Sequence, residues 1–214
     1  MARIKAYKVD SDETRKLALH VVEEVYLKEK KWIQQVDKEL SWNICQDGRY
    51  SWFLATANDK PAGVLRLFYD PPLTLPEEYQ VTLREGIDLS KINANHKFVE
   101  IGRFMILPEY RHKYYVALRL MGTAVREVVE KGYTHFITDV FEGEPHSPLK
   151  FHTTILGFEV IGSHLHGELN CSLTRIILIL DIAKAYQRLK ERRNRLYHGL
   201  FSGWQDILEK KLAA

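Results

Sequence analysis

At 214 residues, 45% hydrophobic and 28% charged, the chain has the balance of a soluble globular protein and is long enough for one self-sufficient core. Its two cysteines, Cys45 and Cys171, argue against a disulfide framework and predict a reducing, cytoplasmic setting. The net charge of +3 is uneven: residues 184–214 carry eight basic and three acidic side chains, a net +5, which leaves −2 on the rest. A solvated basic helix face is the first reading of that tail and an acidic partner the alternative, while nucleic-acid binding is disfavoured because the tail lacks interleaved aromatic residues and a recognised motif. The polar N-terminus lacks an apolar signal-peptide region, and Ile176–Leu180, the longest apolar run, is too short for a membrane span.

The first predicted element is a helix from Asp12 to Lys30, capped by Ser11 or Asp12, with Leu17, Val21 and Val25 on one face. Tyr50–Ala57 and Gly63–Tyr69 read as a hairpin around the turn residues Asn58 to Pro61. Pro71 and Pro72 end it, and residues 70–97 form a long excursion with a short helix start at Pro76. A strand over Phe98–Leu107 stops at Pro108, and a helix over Lys113–Lys131 stops at Gly132. Then come a strand over His135–Phe141, a short helix over Pro148–Leu156, and strands over Phe158–Gly162 and Thr174–Asp181. A basic amphipathic helix over Ile182–Tyr197 and a last helical segment close the chain. Strand–helix–strand in the middle predicts a parallel pair with a crossover helix, and the hairpins predict antiparallel pairing around it. The fold class expected is α/β: a mixed, mostly antiparallel sheet flanked by helices, as a domain over residues 1–181 with a helical extension over 182–214.

Chemistry concentrates where the strand ending at Pro108 meets the following helix. A helix start presents free N–H groups and a positive dipole end, which suits a phosphate or pyrophosphate. Arg111, His112 and Lys113 add positive charge there.

The strand end Ile106-Leu-Pro108-Glu-Tyr110-Arg111 and the later Phe151-His-Thr-Thr-Ile-Leu-Gly-Phe-Glu-Val-Ile-Gly162 resemble two separated motifs of the GNAT superfamily of N-acyltransferases. The resemblance spans residues 10–181. It departs from the family pattern at the phosphate loop, where Tyr114 and Val116 replace small residues, and at Thr153, where many members place a tyrosine general acid. Within the superfamily the chain resembles the N-acyl amino acid synthases and acyl-homoserine-lactone synthases. The matching residues are Tyr26 with Trp32 six positions on, Gly63-Val-Leu-Arg66-Leu67, and Glu100-Ile-Gly-Arg103-Phe104. An arginine common in that branch is replaced by Val22, which weakens lactone synthesis as a reading.

The resemblance implies transfer of an acyl group from a pantetheine thioester, as acyl-CoA or acyl-phosphopantetheine, to a small amine, amino acids included. It places pantetheine along Met105, Ile106 and Leu107 and the phosphate end at Arg111, His112, Lys113, Tyr114, Tyr115 and Val116. Aminolysis of a thioester needs a base for the amine proton and donors for the carbonyl oxygen. Glu100 is the expected base, with Arg103 beside it. Arg66 and Arg103 are expected to grip a substrate carboxylate, and Tyr26 and Trp32 to line the acyl pocket, whereas a purely structural Glu100–Arg103 pair is the competing reading. His152 and His164 are alternative bases. No metal site is expected, because no cysteine or carboxylate joins the histidines at ligand spacing. The partners expected are a small amine, an acyl carrier protein and, as a further option, a second copy of the chain. A short-chain acetyl-CoA-dependent acetyltransferase and a non-catalytic CoA-binding module are the alternatives.

Overall fold

The structure, a computed structural model, describes residues 3–41, 47–74, 76–89, 91–92, 96–112, 114–192, 195–201 and 203–212. Cys45, Lys113 and Arg193 lie outside the described residues.

Strand β1 (Ile4–Lys8) leads into helix α1 (Asp12–Val22), which starts in a capping box: Ser11 Oγ accepts from the Thr14 amide while Thr14 Oγ1 accepts from the Ser11 amide. The helix predicted to run to Lys30 instead widens after Val22 into a π-helical stretch, Glu23–Glu29, ended by Lys31 at φ 57. The wider turn closes with Lys30 N–H donating to Val25 O at 2.9 Å, five residues back. β2 (Tyr50–Ala57) and β3 (Lys60–Tyr69) form the expected hairpin. The excursion contributes a two-residue strand, β4 (Thr82–Leu83).

β5 (Phe98–Ile106), helix α2 (Tyr114–Glu130) and β6 (His135–Phe141) form the crossover unit. A π-helical turn, Phe151–Leu156, precedes β7 (Glu159–His164) and β8 (Arg175–Asp181). Helices α3 (Ile182–Arg192), α4 (Arg195–Phe201) and α5 (Gln205–Leu212) finish the described chain.

Among the described residues eight strands join one sheet in the order β1-β2-β3-β5-β6-β8-β7-β4, and only the β5–β6 pair is parallel. The sheet is covered on both faces. In β2, Trp52 and Leu54 face the cluster built by α1, while Phe53 and Ala55 face the cluster built by α2 and the C-terminal helices. Alternate residues of a strand point to opposite faces, so an unbroken apolar strand is what a two-sided core requires. The C-terminal helices are part of that second core: Tyr186, Leu189, Leu200, Phe201, Trp204 and Leu208 are buried with Leu120 and Met121 of α2. Lys184, Arg192, Lys210 and Lys211 are exposed, whereas Arg188 is half-buried with Nη2 donating to Ile155 O at 3.1 Å.

The sheet opens in the middle. β5 pairs with β6 only at Phe98–Glu100 with His135–Ile137. On its other side β5 carries a bulge, in which Arg103 and Phe104 together oppose the single residue Leu65 of β3. Arg103 takes the left-handed conformation there, φ 49. A bulge bends its strand and sharpens its twist. The last link between the parting strands is Thr138 Oγ1 donating to Ile101 O at 2.7 Å.

Candidate active site

The space between the parted strands is a cavity of about 540 Å³. β5 supplies one wall, β6 the other, and the π-helical stretch after α1 with the residues that follow it roofs it with Tyr26, Lys30 and Trp32. Trp32 packs at 4.3 Å from the Phe141 ring and 5.2 Å from the Tyr26 ring, between centroids. The Trp32 carbonyl accepts from the Asn170 amide at 2.9 Å, so this aromatic wall is tied to the loop after β7. Burial pushes the Tyr26 phenol up to about 12, so it stays protonated at neutral pH.

Glu100 lies on β5 at the point where the strands part. Its Oε1 accepts from Arg66 Nη2 at 2.8 Å. Gly102 makes room for that pair, since a Cβ there would fall 2.8 Å from Arg66 Nη2 and 2.9 Å from Glu100 Oε1. Burial raises the Glu100 carboxyl above the usual carboxylate range, the Arg66 charge opposes the rise and the Asp139 charge adds to it. A carboxylate held more basic than usual beside a cavity is suited to accept a proton.

The bulge turns Arg103 away from the role expected for it. Its Nε donates to Glu39 Oε2 at 2.6 Å and its Nη1 to Glu168 Oε1 at 2.8 Å, with Tyr26 under the guanidinium at 5.6 Å. Its fork is thus occupied by two carboxylates of the protein, and it is not paired with Glu100. Arg66 is likewise committed to Glu100 and stands behind the cavity wall.

Met105, Ile106, Arg111 and Tyr114 reach the cavity, whereas Leu107, His112, Tyr115 and Val116 do not line it. Val116 is fully buried in the α2 core and His112 is exposed. Arg111 is held three ways: Nε donates to Ile106 O at 2.9 Å, Nη1 to Glu29 Oε1 at 2.7 Å, and Nη2 pairs with Glu29 Oε2. The next residue, Lys30, pairs with Glu144 beyond the end of β6. Neighbouring residues Glu29 and Lys30 therefore clasp opposite lips of the opening.

Four residues absent from the sequence reading complete the floor. Asp139 Oδ2 lies 3.0 Å from His164 Nε2 and 3.1 Å from Arg175 Nη1, and Arg175 Nη1 also donates to Glu168 Oε2 at 3.0 Å. Glu39 joins through Arg103. Burial works against the charge of Asp139 and of Glu168, but the His164 and Arg175 contacts hold the first below the usual range, and Arg103 and Arg175 the second. No local motif marks these residues, which come from a loop, two strands and the segment after β7. His164 is thus bound to Asp139 on one side and to the His166 carbonyl, 2.7 Å from Nδ1, on the other. His152 is buried in the cavity wall with Nδ1 2.9 Å from Pro148 O, and burial pushes it down to about 4, so it is neutral at neutral pH. Among the described residues no group of three or more His, Cys, Asp or Glu could hold a metal ion, and no helix is long and apolar enough to cross a membrane.

A family model described as acetyltransferase (GNAT) family matches residues 15–158, well over half of the chain. The chain belongs to the GNAT family. The match runs from α1 through β6 to the Leu156-Gly157-Phe158 motif, so it includes both walls of the cavity. No curated protein matches the sequence. Solved structures resemble this GNAT protein in fold. FeeM, an N-acyl amino acid synthase from uncultured soil microbes, has a TM-score of 0.64 at 14% identity over 87% of this chain and 95% of its own. The ribosomal-protein-S18-alanine N-acetyltransferase from Escherichia coli has 0.55 at 14% over 84% and 94%. The NatC complex bound to Gag peptide and CoA has a chain with 0.56 at 12% over 83% and 99%.

Proposed function

We propose that the protein is an N-acyltransferase that moves an acyl group from a pantetheine thioester to a small amine, with the reaction in the cavity between β5 and β6. The observation that carries this reading is Glu100: a carboxylate of raised basicity at the point where the sheet parts, facing a cavity with room for an acyl group and a small amine.

The chemistry is aminolysis. The amine nitrogen attacks the thioester carbonyl carbon, the C–S bond breaks, and the sulfur leaves as a thiol. Glu100 takes a proton from the nitrogen. Backbone donors on the β5 edge beyond the bulge, which β6 no longer pairs, are placed to bind the carbonyl oxygen. Tyr26, Trp32 and Phe141 offer an apolar wall for the acyl chain.

The donor is acyl-CoA or an acyl carrier protein, and two observations favour the carrier. Arg111, the basic residue best placed for a CoA diphosphate, is already bound to Glu29. Tyr114 and Tyr115 stand exposed at the head of α2, Tyr114 stacked on Phe151 at the cavity mouth, as a protein-docking patch would be. The FeeM likeness makes amino acids the first acceptors to try.

A thiol-release assay with acetyl-CoA, long-chain acyl-CoA and acyl carrier protein over an amine panel tests the proposal. Release with a long-chain donor, dependent on the amine, is expected. Failure of every donor and amine pair to release thiol overturns it, and release with acetyl-CoA as the one active donor replaces it with a short-chain acetyltransferase.

A further inference from the structure

We propose that Asp139 receives the acceptor's amino group as an ammonium ion on the floor of the cavity, which makes the acceptor a small amine that arrives protonated. The identity of the reaction rests on the acyltransferase reading above; the site rests on what the cavity floor presents.

Position comes first. The parallel pairing sets Glu100 beside Ile137. Alternate residues of a strand share a face, so Asp139, two residues on, lies on the Ile137 face and beyond the last paired position. It therefore looks into the opening across from Glu100, and the two carboxylates are close enough for the charge of one to raise the other.

Exposure decides the sign of the ligand. Three carboxylates line the cavity, and three guanidinium groups pair with them, Arg103 and Arg175 from the lining and Arg66 from behind it, but they are not equally reachable. The Asp139, Glu168 and Glu100 side chains are 38%, 49% and 32% exposed. Those of Arg175, Arg103 and Arg66 are 4%, 8% and 17% exposed. The ligand meets carboxylate oxygens, and the arginines stand behind them. Arg175 does have buried N–H groups without partners, at Nε and Nη2, but these are closed off by the loop: a Cβ on Gly167 would fall 2.6 Å from Nη2. Both bonds to Asp139 converge on Oδ2, and Oδ1 carries none among the described residues.

A second orphan in the cavity wall has the same polarity. His152 Nδ1 faces the Pro148 carbonyl and so carries the proton, which leaves Nε2 as a buried acceptor with no partner. At 1% exposure it is no more reachable than the Arg175 N–H groups, so the sign of the ligand rests on the exposed carboxylates. The arginines have a consistent role: they keep Asp139 and Glu168 ionised, and so ready for a cation, without competing for it.

The proton count closes. An ammonium ion at Asp139 gives one proton to Glu100, and the neutral nitrogen attacks the thioester. The nitrogen loses a second proton as the amide forms. One of the two ends on the thiol and the other in solvent.

The test needs no knowledge of the natural acceptor. Amide chemical shifts of the full-length protein are followed during titration with n-butylammonium, with its neutral counterpart n-butanol, and with butyrate. Butylammonium is expected to bind at least about tenfold more tightly than either, with shifts centred on Thr138–Val140 and Glu168, and Asp139→Asn is expected to abolish the preference. Tighter binding of butyrate at the same residues overturns the proposal and assigns the floor to a carboxylate. Absence of butylammonium binding, or a folded Asp139→Asn protein that binds it as the wild type does, also overturns it. If Asp139→Asn does not fold, the three probes on the wild-type protein decide alone. Binding is read without acyl transfer, so a failed thiol-release assay and a failed ammonium site give different results.

Discussion

Glu100 and Arg66 meet across β5 and β3 through one hydrogen bond, Nη2 to Oε1 at 2.8 Å, in a space that exists because residue 102 has no side chain. The contact leaves Glu100 Oε2 available for a proton, and it sets the pH at which that oxygen is a base.

Glu100→Gln is expected to lower kcat about a hundredfold in a folded protein, as loss of a general base does. The pH profile gives the stricter check. Burial raises the Glu100 carboxyl, and Arg66 restrains the rise. The base works only when deprotonated, so activity falls as pH drops through the folded-state value, above the usual carboxylate range. Arg66→Ala removes the restraint, raises that value further, and should move the acid limb of kcat/KM to higher pH. An acid limb that stays in place, or moves down, removes Glu100 from the role of base.

Arg103 is the stability prediction. Its guanidinium neutralises Glu39 and Glu168, so Arg103→Ala leaves Glu39 without its buried partner and should cost about 3 kcal/mol. The same residue sits at φ 49, where a Cβ is strained. Arg103→Gly loses the same charge but relieves that strain, so it should be about 1 kcal/mol more stable than Arg103→Ala. Urea unfolding of the two variants measures the difference. Equal stability would mean that the bulge places no strain on the backbone.

His152 should govern stability in acid. Its folded-state value is pushed down to about 4 by burial, against an ordinary 6.5, so the unfolded chain binds the proton first. The stabilisation is complete above pH 6.5 and is lost as pH falls from 6.5 to 4, by about 3 kcal/mol. His152→Phe places a ring of similar shape among Phe104, Phe151 and Phe158 and should flatten the stability profile in that window by one proton. Urea midpoints between pH 4 and 7 test it, and an unchanged slope would mean that His152 is not the group that titrates.

Local patterns carried most of the architecture. Hydrophobic period, prolines at strand ends and glycines at helix ends placed the β2–β3 hairpin, β5, α2, β6 and the last two strands within a few residues, because those signals act between near neighbours. The motifs around Pro108 and Gly157 were legible as family features for the same reason. β1 was not, because an edge strand with half-buried residues has no strong pattern, and the π-helical turn after α1 was not, because one wider turn leaves the apolar spacing nearly unchanged.

Of the site, the sequence brought Glu100, Arg103, Tyr26, Trp32 and Arg66 together as a group through its resemblance to the N-acyl amino acid and acyl-homoserine-lactone synthases. Only the tertiary structure decided what each one touches. A structural ion pair between Glu100 and Arg103 is the competing reading of that motif. The bulge at Arg103 and Phe104 turns Arg103 to Glu39 and Glu168, 64 and 65 residues away in the chain, and Glu100 pairs with Arg66. Asp139, Glu168, Arg175 and His164 carry no spacing signature, because their meeting depends on the order β5-β6-β8-β7 in the sheet. Charge and burial at one point are set by every element that converges there, and a linear pattern records only the neighbours along the chain.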